Sequence, residues 1–410
     1  RHFNTALLSA SVLLALALAG CRASGADAEP LTALREISSP AGVGSGEANL
    51  FAANGRVYLS WLERSGQTHH ALRFAAWEDT TWSAPRTIAE GENFFVNWAD
   101  FPSLVALPDG RLAAHWLVRS GPGTYSYDVH IAQSADGGDS WSAPVVPHTD
   151  GTQTEHGFVS LFPLPNGRLG ATWLDGRDFE GQAEHGGSGV MTLRHAALGA
   201  AGEIGEETLL NDRVCDCCQT ATALTSRGPV TVYRDRSPDE IRDIYAVRWI
   251  DGRWTPPAPV HRDGWYITGC PVNGPAIAAD GESAAVAWFT AAADTPRVMI
   301  AFATDAGASF GRAIRVDDGE PTGRVDVLLL DRETALVSWL EQAGEAAEIR
   351  VRRVRASGEA GQSSVVSRSS AARASGFPRM ARSGDSIFFA WTDPSGEGQV
   401  RTAIAERSDR

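Results

Sequence analysis

Three of the five cysteines in this 410-residue chain fall within four positions, in "VCDCCQTATAL" from Val214 to Leu224. Thiols at that density clamp the chain as disulfides, hold a soft metal ion, or exchange as a redox site. A fourth, Cys270, lies in "GCPVNGPA", and His156 follows an acidic residue in "TEHGF". Cys215, Cys217, Cys218 and Cys270 with His156 form a donor set that suits Cu(I) or Zn(II). As an even number of cysteines they equally suit two disulfides, with three connectivities open.

The compartment bears on that choice. Arg1 and His2 precede an apolar run from Ala6 to Ala19 that ends Leu18-Ala19-Gly20-Cys21. This resembles the lipobox of bacterial lipoprotein signal peptides, which implies cleavage before Cys21, lipidation of its sulfur and display on the cell envelope. Residues 1–20 are then a signal peptide, 21–29 a tether and 30–410 a single domain. Outside the cytoplasm the remaining thiols face oxidising conditions. The 36 basic and 50 acidic residues leave a net charge of −14, and every basic side chain is arginine. Such a surface excludes nucleic acid, and it excludes an anionic membrane beyond the lipid anchor, as the main partner. The expected partners are a carbohydrate or an envelope protein, and the expected state is a monomer.

The elements that position these groups are strands. An aromatic residue ends a strand-like run at Trp61, Trp116, Trp173, Tyr233, Trp288, Trp339 and Trp391, at successive intervals of 55, 57, 60, 55, 51 and 52 residues. First turns carry Gly55, Gly110, Gly167, Gly228, Gly281 and Gly384. Alternating third strands such as "DVHIAQS" and "RVMIAFA" follow, then fourth strands such as "APVVPH", "APVHR" and "RAIRVD". Four short antiparallel strands per repeat of about 50 residues make a β-propeller blade. The pattern predicts an all-β propeller of seven blades, or six if one unit is an irregular insertion. The last unit lacks an outer strand, and Pro30–Ile37 is available to supply it and close the ring.

The turn "SADGGDSW" carries Ser134, Asp136, Gly138 and Trp141, and "ATDAGASF" keeps Asp305, Gly307 and Phe310 at the same offsets. These match the Asp-box pattern S-x-D-x-G-x-x-W, so the chain resembles the Asp-box, sialidase-like propellers. That resemblance implies glycan binding or exo-sialidase-type hydrolysis at one mouth of the channel. In that family three arginines grip the sugar carboxylate, a tyrosine paired with a glutamate attacks, and an aspartate serves as acid and base. The family's Arg-Ile-Pro is absent, with "GEANLFAANG" in its place. The catalytic candidates implied here are Asp100, Arg177, Arg236, Arg242, Tyr245, Arg324 and Arg379. Around them the mouth loops gather Glu155, Asn273, Asp326, Asp175, Asp178, Arg234, Asp235 and Asp243. Cys215 and Cys270 each precede their unit's aromatic by 18 positions, which predicts a bridge between the fourth and fifth blades. Cys217 and Cys218 are then left to close a vicinal ring, stay reduced or exchange with Cys215. The alternative function is a non-catalytic envelope propeller whose cysteine-rich mouth binds a soft metal or a protein partner.

Overall fold

The computed structural model describes residues 29–181 and 189–408. Cys21, the apolar run before it and residues 182–188 lie outside the described residues.

The described chain is a seven-bladed propeller of antiparallel sheets. Innermost strands run over Ser45–Ala53, Ser103–Ala106, His156–Pro163, Ala221–Thr225, Ala276–Asp280, Pro321–Asp331 and Arg379–Ser383, one per blade in chain order. The ring closes as the sequence suggests: Leu31–Ile37 pairs with Gln399–Arg407 in the seventh blade, with Leu31 opposite Arg407 and Ile37 opposite Thr402.

The seven aromatics explain why the repeat holds its shape. Each sits in a different apolar cluster, and each cluster straddles one junction: Trp61 packs with Phe388 and Ala390, Trp116 with Leu72 and Phe74, Trp173 with Val105 and Leu117. Tyr233, Trp288, Trp339 and Trp391 continue the pattern round the ring, always against the preceding blade. A flat ring buried whole supplies wide contact area from one residue. Its indole N–H needs an acceptor there, and a carboxylate two residues on provides it for Trp173 (Asp175 Oδ2, 2.8 Å) and Trp61 (Glu63 Oε2, 3.1 Å).

One expected strand does not form. "APVVPH" contributes only an isolated bridge between Val145 and Ile131, so the second blade has three strands. Pro144 and Pro147 lack the N–H that a ladder requires. In the turn after that blade's third strand, Asp136 Oδ1 accepts from Ser140 N at 2.9 Å, Gly138 has φ 93°, and Trp141 packs edge-on to Phe74. A Cβ on Gly138 would meet Phe74 Cζ at 2.3 Å, so this position needs glycine both for its conformation and for space. Asp305 likewise accepts from Ser309 N at 3.0 Å, Gly307 has φ 73°, and Phe310 packs against the fourth and fifth blades.

Candidate functional site

Several of the polar residues expected at the mouth turn out to stitch blades together. Asp100 Oδ1 accepts from Phe158 N on the next blade at 2.7 Å, Asn273 Oδ1 from Arg324 N at 2.7 Å, and Asp326 Oδ2 from Met380 N at 2.7 Å. Gln219 Oε1 does the same for Gly274 N at 2.9 Å. For Phe158 and Arg324 the close approach is possible because a glycine precedes the donating N–H: a Cβ on Gly157 would lie 1.9 Å from Asp100 Oδ2, and one on Gly323 2.2 Å from Asn273 Oδ1. Phe158 and Arg324, the residues that follow, take φ 52° and 54°, a conformation that non-glycine side chains adopt at a cost. The innermost strands leave a narrow central channel of ≈ 150 Å³, on which Asp100, Asp326 and Arg379 border.

The candidate arginines do not gather at one open site, and the two that meet, Arg236 and Arg242, share the protein's own Glu240. Arg177 binds Asp175 (2.7 Å) and Glu207 (2.8 Å). Arg236 binds Glu240 (2.8 Å) and Asp216 (3.1 Å). Arg242 is buried and donates to Glu240 at 3.0 Å and to Cys215 Sγ at 3.4 Å. Arg324 is spent on the carbonyls of Ala371, Ala372 and Gly376 with Ser375 Oγ, and lies over the Trp98 ring. Arg379 faces Phe101 and Asp326, with Nε 3.9 Å from the carboxylate. Arg234 is buried against the carbonyls of Arg242, Asn273 and Phe289. Asp235 and Asp243 accept from Asn211 and from the backbone at Trp265.

The tyrosine that meets the carboxyls is not Tyr245, whose hydroxyl accepts from Arg262 at 3.3 Å. It is Tyr127, at the start of the second blade's third strand. Its hydroxyl lies 2.8 Å from Asp100 Oδ2 and 2.9 Å from Glu155 Oε1. One hydroxyl has one proton, so it cannot donate to both. At least one carboxyl must carry a proton and donate to the phenol oxygen. Burial agrees: it raises Asp100 to about 7, against the opposing bonds from Tyr127 and Phe158 N. It raises Glu155 well above the carboxylate range, helped by the charges of Asp100, Asp216 and Cys270.

Beside this trio opens a cleft of ≈ 560 Å³ lined by Tyr125, Gln153, Glu155, Phe179, Glu180 and Asp216. No arginine lines it among the described residues. Asp216 is raised by burial and by the charge on Cys215, with Arg236 and Arg242 opposing.

The cysteines lie next to the cleft and differ from the expected bridge. All four are unbridged: Cys215 and Cys218 are buried and Cys270 is exposed. The neighbour of Cys215 is Cys218, at 2.8 Å between sulfurs, with Cys217 at 3.9 Å. Equal offsets from the aromatic placed Cys215 and Cys270 at the same level of adjacent blades, but Cys215 turns inward under Arg242 while Cys270 faces solvent. Burial pushes the Cys215 thiol up, yet bonds from Cys217 and Cys218 and the charges of Arg242 and Arg234 outweigh it and hold it well below the usual thiol range. Contacts with Cys215, Cys218 and Cys270 push Cys217 up. The three sulfurs of Cys215, Cys217 and Cys218 all lie within 4.8 Å of one another, a spacing that can hold a metal ion.

His156 does not join the thiols. It stacks on His148, ring centres 3.7 Å apart, between Asp128 and Asp150. Burial alone pulls His156 down, and Asp128, Asp150 and Asp175 push it up to about 9. His148 closes "APVVPH", where it read as the end of a strand.

No family model matches this chain, and no curated protein matches it. Solved structures do. Polysaccharide lyase Uly1 superposes with TM-score 0.54 at 10% identity, covering 88% of this chain and 90% of that one. The phage phi92 endosialidase gives TM-score 0.51 at 9% identity, covering 92% and 70%. The fold is a sialidase-like propeller. The GH93 α-L-arabinofuranosidase of Fusarium graminearum, solved with arabinobiose, gives TM-score 0.50 at 13% identity over 77% and 95%. At such identities the likeness concerns architecture, and chemistry rests on the side chains.

Proposed function

We propose that the cleft beside Glu155 binds a glycan through an uncharged sugar and cleaves it at a glycosidic bond. The observation that carries this reading is a pair of carboxyls on one cleft, Asp216 and Glu155, the latter pushed well above the carboxylate range by burial. A neutral Glu155 is a general acid for a departing sugar oxygen, and Asp216 supplies the second carboxyl that such hydrolysis uses. Tyr125 and Phe179 offer aromatic faces to sugar C–H groups. The paired arginines argue against a carboxylate sugar, so the exo-sialidase version is the less favoured form. The names of the three similar structures, a lyase, an endosialidase and an arabinofuranosidase, support a glycan in general.

The test is turnover of a panel of aryl glycosides, including an α-L-arabinofuranoside and a sialoside, beside a glycan array. Expected is binding of a neutral glycan and turnover lost at least a hundredfold in Glu155→Gln. Sialoside turnover lost in Arg379→Ala would restore the sialidase reading, and silence on both array and panel would end the glycan reading.

A second reading is favoured by the sulfur contacts: Cys215, Cys217 and Cys218, with Cys270 nearby, hold a soft ion such as Cu(I) or Zn(II). Intact mass after alkylation, with metal analysis of the same sample, decides it: a stoichiometric metal lost in Cys217→Ser supports it, and two disulfides without metal remove it. The envelope location and lipidation at Cys21 are proposals carried by the lipobox resemblance, and labelled palmitate incorporation lost in Cys21→Ser tests them.

A further inference from the structure

The pair of stacked histidines between the second and third blades is used neither by the cleft chemistry nor by the thiols. His156 is fully buried and His148 is 7% exposed. Asp150 Oδ2 lies 3.2 Å from His148 Nδ1 and 3.2 Å from His156 Nε2. The carboxylate thus faces one nitrogen of each ring. That leaves the opposite nitrogens, His148 Nε2 and His156 Nδ1, which lie 3.8 and 3.5 Å from Asp128 Oδ1. All three atoms are withdrawn from solvent and have no hydrogen-bond partner among the described residues, and the same holds for Asp150 Oδ2 and His156 Nε2. They lie within 4.8 Å of one another.

Buried ring nitrogens without partners are costly. Here five unpartnered polar atoms are grouped, and a cation on Asp128 Oδ1, His148 Nε2 and His156 Nδ1 would leave the remaining ring protons on the side of Asp150. Imidazoles held by an outer carboxylate are the usual support of metal-bound histidine. Asp150 is itself fixed: Oδ1 accepts from Thr152 N at 2.9 Å, and Arg177 Nη2 lies 3.3 Å from Oδ2. A cavity of ≈ 320 Å³ lined by Ser120, Asp128, His148, Thr149, Gly151 and Thr152 opens beside the group, giving an ion a route in and room for water.

We propose that Asp128, His148 and His156 form a binding site for one borderline divalent cation of the zinc class, with Asp150 as the positioning carboxylate. Two imidazoles and one carboxylate suit such an ion better than calcium or magnesium, which take oxygen ligands. The chain from His148 to His156 would be pinned at both ends. Gly151, Gln153, Thr154 and Glu155 of that segment wall the larger cleft, so the ion would fix one side of it. The site stands or falls separately from the thiol reading, since the two share no residue.

The experiment is equilibrium dialysis of the chelator-stripped protein against Zn²⁺ with elemental analysis, repeated with Co²⁺ and visible spectroscopy. One equivalent is expected in Cys217→Ser, with cobalt bands lacking intense thiolate charge transfer, and the parent should hold that same ion besides any held by the thiols. Asp128→Asn and His148→Ala should lose the ion, and Asp150→Asn should bind it roughly 10–100-fold more weakly. A parent protein that takes up no ion attributable to imidazole, or retention of the ion by both Asp128→Asn and His148→Ala, overturns the proposal.

Discussion

Asp100→Asn should make the protein more stable above neutral pH while leaving it nearly unchanged in mild acid. Asp100 is raised from its ordinary 3.8 to about 7 by burial. A carboxyl that binds its proton more tightly when folded contributes fully at pH values below its unfolded pKa, and that contribution is lost as pH rises through the folded one. Three units correspond to on the order of 4 kcal/mol, gone between about pH 4 and pH 7. Asparagine is the isostere of the neutral acid. Its oxygen can accept from Phe158 N, its amide can donate to the Tyr127 oxygen, and Tyr127 can then give its one proton to Glu155. The variant therefore keeps the network without the ionisation. The assay is the denaturant midpoint of parent and variant at pH 4.5, 6 and 8, read as the difference between them so that other titrating groups cancel. Because Asp100 and Glu155 share one hydroxyl, the transition belongs to the pair. A difference that stays flat, or that favours the parent increasingly as pH rises, would refute the shared-proton argument.

Other consequences are sharper in structure than in chemistry. Gly138→Ala should cost about 1–3 kcal/mol, visible as a lowered melting temperature, because it adds a Cβ against Phe74 at a left-handed position. Trp339→Phe should cost about 1–3 kcal/mol beyond its lost contact area, since the indole N–H donates to the buried Glu341 carboxylate, and Trp339→Phe in a Glu341→Gln background should cost less. In reduced, metal-free protein iodoacetamide should label Cys270 first and Cys215 and Cys218 last, as peptide mass mapping would show. Labelling of Cys215 ahead of Cys270 would mean that the cluster opens readily.

Much of the architecture was legible because it repeats. The aromatic spacing reported a contact made seven times, and repetition turns a weak local signal into a strong one. The site was less legible for the opposite reason. Tyr127 stands one position before the alternating run "DVHIAQS", and nothing local says that its hydroxyl meets carboxyls 27 and 28 residues away. His148 was hidden in a segment that looked like an outer strand until its two prolines are weighed as missing donors. Asp100, Asn273 and Asp326 were recognisable as polar residues at the mouth, but the work of Asp100 and Asn273 in capping a neighbour's backbone depends on Gly157 and Gly323 making room. Arginine count misled most: abundance in the loops says nothing of how many guanidiniums are already paired with carboxylates or carbonyls.

The two ends of the described chain share one sheet, and the sixth blade holds both. Arg353 donates to the carbonyls of Pro30 and Ser408, and Ser364 Oγ donates to Glu29. The ring is thus a loop of covalent chain fastened by a non-covalent buckle. Joining residue 408 to residue 29 with a short linker and opening the chain between two other blades would move the buckle without altering any junction. Such a circular permutant should keep its channel and mouth. Pulling on residues 29 and 408 of the unpermuted chain would instead load the buckle first, peeling away a single strand before any aromatic junction feels force.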